Sequence, residues 1–229
     1  MPATVQRSRL PLDEAALLEI AHLYCFWRIA RGAAHALNNA LTAAAGLLDA
    51  GGSSKEVERE IDRCVRATRG FTDQHPLRFG RRSEGELVAV VRRVAGLLRD
   101  AGSRRLELEL ALPDEFFHLE ADPARVELLL LCALGRLLDA SARGGRLRIA
   151  VAEGPKPASA RVEAELLAAD AAGADAEALL DPAAAASVAE AIALEAARRV
   201  AEGCGASLGA RALPDGGLAL CAIFPTVEP

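Results

Sequence analysis

The chain has 229 residues, of which 52% are hydrophobic and 26% charged, proportions typical of a globular protein rather than a disordered one. No apolar run is long enough to span a membrane and no signal peptide precedes the first element, so we expect a cytoplasmic protein. The five scattered cysteines lack metal-site spacing, which predicts small buried residues in a reducing compartment and no bound metal.

Charge is unevenly distributed along the chain. Residues 1–82 carry 12 basic and 9 acidic side chains, whereas residues 83–229 carry 15 and 23. The first part is too weakly basic for a nucleic-acid-binding protein, but its sign suits an acidic protein surface.

A long amphipathic helix is predicted from Asp13 to about Asp49. Gly51 and Gly52 end it, and Ser53 with Glu56 forms a capping box that begins a second helix, extending to about Asp73. The apolar stripe of the first helix recurs at three- and four-residue steps: Leu17, Ile20, Leu23 or Tyr24, Trp27, Ala30, Ala34, Leu37, Leu41, Ala44 and Leu48. Two helices alone cannot bury so long a stripe. We therefore predict a homodimeric four-helix bundle, the alternative being a bundle completed by the C-terminal half of the same chain.

A polar stripe lies beside the apolar one and is centred on His35. A neutral imidazole exposed on a helix has a ring nitrogen free to attack phosphorus. The other members of the stripe are predicted to bind a partner or a phosphoryl group: Arg28, Arg31, Gly32, Asn38, Asn39 and Thr42.

The segment His35-Ala36-Leu37-Asn38-Asn39-Ala40-Leu41-Thr42 resembles the H-box of bacterial sensor histidine kinases. The resemblance implies that His35 is a phosphoacceptor on a dimerisation domain. Ala36 stands where the family has an acid, which serves as general base when the histidine takes phosphate from ATP. An aspartyl phosphate is already activated and needs less help.

The second half predicts an α+β architecture, with a mixed sheet covered by helices on one face. The predicted order from residue 83 is α-β-β-α-β-β-α-β-β, which resembles the ATP-binding domain of histidine kinases. The predicted divisions are a flexible tail at 1–12, a helical-hairpin phosphoacceptor domain at 13–75, a linker around 76–82, and a degenerate ATPase-like domain at 83–229.

The nucleotide site of that family is predicted to be lost. Arg136 stands where the family has a magnesium-binding asparagine, and an arginine has donors only. Asp170 is followed by Ala171-Ala172-Gly173, which lacks the first glycine of the family's adenine-binding loop. Ala191 and Ala193 replace the glycines of a second loop before the last helix, where a Cβ hinders approach to phosphate. No cofactor is therefore expected.

Together these features predict a histidine phosphotransferase that relays phosphate between receiver-domain aspartates through His35 without ATP, as in the dimeric phosphotransferases that the chain resembles. A non-catalytic pseudokinase scaffold and a phosphatase that docks receivers are the alternatives, and an active histidine kinase is a third. The expected partners are receiver domains and a second copy of the chain, with no nucleic acid or membrane.

Overall fold

The computed structural model describes residues 12–72, 85–101, 106–140, 145–168 and 175–227. The predicted tail and linker and the segment around Asp170 lie largely or wholly outside these residues, and the domain boundaries stay predictions. Within the described part, no helix is long and apolar enough to cross a membrane.

The chain begins with a helical hairpin. Helix α1 spans Glu14–Asp49 and starts where the Asp13 carboxylate accepts a hydrogen bond from Ala16 N, at 2.7 Å. Helix α2 spans Ser54–Thr72, and the Glu56 carboxylate accepts from both the N–H and the hydroxyl of Ser53. Gly51 turns the chain with a φ of 71°, a conformation that favours glycine.

A mixed sheet with its helices follows the hairpin. The helices are α3 (Leu87–Ala101), α4 (Pro123–Asp139) and α5 (Val188–Gly203). The strands are β1 (Gly85–Glu86), β2 (Leu106–Ala111), β3 (His118–Leu119), β4 (Gly145–Glu153), β5 (Ser159–Leu167), β6 (Ser207–Ala212) and β7 (Leu218–Val227). The predicted α+β order is confirmed, with β1 and two 3₁₀ turns (Ala178–Leu180 and Pro182–Ala184) as additions.

The strand order is β1-β3-β7-β5-β4-β2, and β6 also pairs with β7. The β2–β4 pair is parallel and the other pairs are antiparallel. Inward-facing residues such as Ile149, Val162 and Leu220 are fully buried under the helices. The outward face carries cross-strand ion pairs, including Arg211 with Glu163 at 2.8 Å, so it faces solvent as predicted.

Helix α1 has two apolar faces with different surroundings. One face packs in its N-terminal half against α3, α4 and α5, where Leu17, Ala21, Cys25 and Ile29 join the core beneath the sheet. The predicted stripe lies mainly on the other face, and four of its large side chains are more than half exposed in a single chain: Leu23, Trp27, Leu41 and Leu48. The C-terminal half of the chain therefore covers part of α1 but leaves this second face uncovered.

Arg28 fastens α1 to α4. Its guanidinium donates to both carboxylate oxygens of Asp139, at 2.6 and 2.7 Å, and to the carbonyl oxygen of Gly135 at 3.1 Å. The same group lies 5.7 Å from the ring centroid of Tyr24. A bidentate arginine–carboxylate pair is directional as well as attractive, so it fixes how the hairpin sits on the sheet and its helices.

We expect Arg28→Ala to lower the free energy of unfolding by about 1–2 kcal/mol, because a bidentate but partly exposed ion pair is lost. Asp139→Ala should cost a similar amount, and the double variant should cost less than the sum of the two. Urea titration of the four proteins measures this coupling. Arg31→Ala is the matched control, because among the described residues the exposed Arg31 guanidinium contacts only the Trp27 ring, and it should change stability by less than about 0.5 kcal/mol.

Candidate functional site

His35 lies on the solvent side of α1, in the half of the helix that forms the hairpin with α2. Its side chain is exposed. Its neighbours one helical turn away on either side are Arg31 and Asn39, and Asn39 contacts the imidazole. A partner approaching this face of the hairpin can therefore reach the imidazole.

Asn39 sets the chemistry of the His35 ring. Its side-chain nitrogen lies 3.1 Å from His35 Nε2. An amide nitrogen can only donate, so Nε2 accepts and carries the lone pair, and in the neutral ring the proton belongs on Nδ1. The contact thus favours the tautomer in which Nε2 is the nucleophile, although Asn39 must turn aside before that nitrogen attacks.

The remaining side chains of the predicted polar stripe fall into two groups. Arg31, Asn38 and Thr42 are exposed on the same face as His35. The Arg31 guanidinium lies 5.6 Å from the ring centroid of Trp27, and the Thr42 hydroxyl donates to the Asn38 carbonyl oxygen at 2.8 Å. Arg31 thus has donors to spare, whereas the Thr42 proton is engaged within its own helix.

Gly32 and Arg28 differ from these three. Gly32 lies half-buried one turn before His35. Arg28 is directed to α4, and its bonds to Asp139 and Gly135 engage the donors that a phosphoryl group would need. The sequence placed Arg28 in the polar stripe by helical spacing alone. It gave no sign that a carboxylate 111 residues away would pair with it.

Arg136, at the predicted position of the lost nucleotide site, forms an internal ion pair. Arg136 Nη1 lies 3.1 Å from Glu190 Oε1, and these side chains are 20% and 6% exposed. Glu190 Oε2 also accepts from Ala186 N at 2.8 Å, and Arg136 Nη2 reaches the Ala184 carbonyl oxygen at 3.5 Å. Arg136 thereby joins α4 to the segment that leads into α5, and its charge is already neutralised by Glu190.

The prediction for Ala191 and Ala193 needs correction. Both residues lie inside α5 rather than in a loop before it, because Ser187 caps the helix by accepting from Glu190 N at 3.2 Å. Ala193 is 2% exposed and belongs to the core. The segment that precedes α5 is 183–186, which contains no glycine. Glu190, which sequence analysis did not single out, is the acidic residue that faces Arg136.

We expect Arg136→Met to destabilise the protein by about 2–3 kcal/mol, because it leaves the buried Glu190 carboxylate without a cation. Arg136→Met with Glu190→Gln should recover most of this loss, since the amide oxygen still accepts from Ala186 N. Arg146→Met is the control, because its pair with Glu107 is more than half exposed on both sides. Denaturant unfolding distinguishes these variants; equal losses in the single and double variants would contradict a neutralising role for Arg136.

Among the described residues, no group of three histidine, cysteine or carboxylate side chains comes together as a metal site would require. His118, which has no assigned role, stacks on the exposed Phe116 ring at 6.4 Å between centroids.

Comparison with solved structures agrees with the geometry. A bacterial phosphotransferase matches with a TM-score of 0.58 and 19% identity, over 94% of this chain and 98% of that one. The mycobacterial sensor histidine kinase MprB matches with a TM-score of 0.53 and 16% identity, over 65% of this chain and all of that one. The catalytic domain of histidine kinase ThkA gives 0.52 and 16%, over 63% and 95%.

The fold is that of histidine kinases and this phosphotransferase. At the level of fold, the resemblance predicted from the H-box is confirmed. No protein-family model matches the chain, and no curated protein matches it. The matches to MprB and ThkA span about two thirds of the chain, whereas the phosphotransferase match spans 94% of it.

Proposed function

We propose that this chain is a histidine phosphotransferase that moves phosphate between the aspartates of two receiver domains through His35. The observation that carries the proposal is an exposed imidazole whose Nε2 accepts from Asn39, on a hairpin within a fold shared with a bacterial phosphotransferase over nearly its whole length. The group is reachable, and its contact with Asn39 favours the tautomer whose Nε2 lone pair can attack phosphorus.

The transfer takes place in two displacements. The Nε2 lone pair attacks the phosphorus of an aspartyl phosphate, the phosphorus–oxygen bond to the carboxyl group breaks, and the aspartate carboxylate leaves. The carboxylate of a second receiver then attacks the phosphorus, the phosphorus–nitrogen bond breaks, and the lone pair returns to Nε2. Arg31 stabilises the phosphoryl oxygens, and Asn38 and Thr42 contact the receiver surface.

The loss of nucleotide binding is part of the same proposal. A nucleotide with magnesium needs neutral or anionic oxygen ligands and a backbone that can approach the phosphates. This chain has the cation of Arg136 paired with Glu190, followed by an alanine-rich segment before α5. The phosphate that reaches His35 therefore comes from a receiver, and no cofactor is required.

Ala36 supports a second candidate function, that of a scaffold or phosphatase. The residue that follows His35 has no group able to accept a proton. A scaffold would dock receivers without carrying phosphate, and a phosphatase would use Asn39 to orient a water molecule against the aspartyl phosphate. Both need the same exposed face and differ from the phosphotransferase in the fate of the phosphate.

The deciding experiment supplies labelled phosphate from two sources in parallel. The wild-type protein is incubated with a panel of phosphorylated receiver domains, and separately with ATP and magnesium. We expect acid-labile, base-stable label on the chain from at least one receiver and none from ATP. Label from ATP would establish a kinase, receiver binding without label a scaffold, and release of inorganic phosphate a phosphatase.

We expect Asn39→Asp to slow phosphate transfer by about tenfold. A carboxylate can only accept, so it favours a proton on Nε2 and withdraws the lone pair that must attack. The rate of label transfer from a phosphorylated receiver measures the effect, and ¹⁵N NMR of the ring reports the tautomer. A slowed Asn39→Asp protein whose ring spectrum still places the proton on Nδ1 would argue for charge repulsion instead.

A further inference from the structure

Two thiols from distant parts of the sequence meet where α1 packs on α4. Cys25 Sγ and Cys132 Sγ lie 3.4 Å apart and form a sulfur hydrogen bond. The two residues are 4% and 5% exposed and are separated by 107 residues along the chain. A disulfide has a sulfur–sulfur distance of about 2.05 Å, so these atoms need to move by little more than 1 Å to become bonded.

A cavity of about 170 Å³ adjoins the two thiols. Cys25 and Cys132 both contribute to its lining, together with the partly exposed side chains of Tyr24, Arg28 and Leu138. Its volume is several times that of a water molecule, which occupies about 30 Å³ in the liquid. A small oxidant such as hydrogen peroxide therefore has room beside the sulfurs, although neither thiol is on the surface.

We propose that Cys25 and Cys132 form a reversible disulfide when the protein meets a peroxide, joining α1 covalently to α4. One thiol attacks the peroxide, the oxygen–oxygen bond breaks, and a sulfenic acid and water form. The second thiol attacks that sulfur, the sulfur–oxygen bond breaks, and a second water leaves. In total, two thiols lose two electrons and two protons to one peroxide, and a dithiol reductant restores them.

The neighbourhood tunes the rate of this reaction. The hydrogen bond with Cys25, together with burial, raises the pKa of the Cys132 thiol well above its usual value. The thiolate is the reactive form, so this shift lowers the reactivity of Cys132 toward peroxide at neutral pH.

The bond would reinforce the contact that Arg28 already makes. Arg28 follows Cys25 by three residues, and its partner Asp139 follows Cys132 by seven, so both links cross the same interface. His35 lies ten residues beyond Cys25 on the same helix, about 15 Å along its axis. Oxidation therefore adds a covalent link between α4 and the helix that carries the histidine. The disulfide itself does not depend on the proposed transfer activity.

Peptide mapping tests the proposal on the full chain. The protein is incubated with hydrogen peroxide, blocked with N-ethylmaleimide and digested with trypsin. We expect a peptide pair joining residues 10–28 to residues 126–136, about 2 Da lighter than the sum of the two, which dithiothreitol separates. Cys132→Ser should abolish the pair, and Cys221→Ser, at a half-buried position on β7, should leave it unchanged.

Thermal unfolding supplies the second measurement. Closing a loop of this length should raise the melting temperature of the oxidised wild type by about 5–10 °C over its reduced form, with no rise in Cys132→Ser. Cys25 and Cys132 recovered only as separate alkylated or over-oxidised peptides, while Cys221 is oxidised, would overturn the proposal. If the serine variant fails to fold, the wild-type peptide map still decides.

Discussion

Replacing His35 by glutamine should abolish acceptance of phosphate from a phosphorylated receiver, lowering label on the chain by at least about a thousandfold. Glutamine keeps a polar side chain of similar reach on the exposed face of α1 but has no nucleophilic nitrogen. Because the His35 side chain is exposed and, within the part of the chain that the structure describes, hydrogen-bonds only to Asn39, the variant should retain the stability of the wild type. The measurement is transfer of labelled phosphate followed by acid and base treatment of the product.

His118→Gln is the matched control, because His118 lies in β3 and stacks on Phe116, apart from the hairpin. It should transfer phosphate at the wild-type rate. Residual label on the His35 variant, or equal loss in both variants, would contradict the assignment of His35 as phosphoacceptor. Receiver binding that survives in His35→Gln would show that docking and chemistry are separable.

The order of elements could be predicted from the sequence because each boundary has a local cause. Asp13 caps α1, Gly51 turns the hairpin, and Asp122 with Pro123 begins α4. The alternation of Leu106 and Leu108 with charged residues predicted which side of β2 faces solvent. The two-residue strand β1 was missed because Gly85–Glu86 has no pattern of its own and is defined by its pairing with β3.

Long-range pairs were beyond prediction for a different reason. Helical spacing says which side of α1 a residue occupies, but not what packs there. Arg28 and His35 share a polar stripe, yet Arg28 meets Asp139 on α4 while His35 faces solvent. Likewise, the sequence indicated that Arg136 cannot bind magnesium. Its partner Glu190, however, is 54 residues away and lies in another helix, α5.

The exposed apolar face of α1 predicts that the chain forms a dimer, and that a charge introduced on this face weakens it. Leu41 is 52% exposed in a single chain, and Leu23, Trp27 and Leu48 are exposed with it along one side of the helix. On α2, Ile61 and Val65 are also exposed. A row of large apolar side chains along a hairpin is typical of a bundle completed by a second copy. We therefore propose that the chain is a homodimer of about 48 kDa, twice the 24.0 kDa of one chain.

Leu41→Glu should weaken this dimer by at least about a hundredfold in dissociation constant, because the new carboxylate would be buried between apolar side chains. In a monomer the same side chain reaches water, so the helix content and unfolding midpoint of the isolated chain should change little. Light scattering coupled to size exclusion, over a range of micromolar concentrations, measures the change.

Val188→Glu is the control. Val188 is 75% exposed at the start of α5, where an acidic residue is compatible with the helix dipole, and that variant should stay dimeric. A wild type that is monomeric at these concentrations, or a Leu41→Glu protein that remains a dimer, would exclude this face of α1 as the interface. The histidine would then have to be presented by a single hairpin, with the sheet and its helices as its sole support.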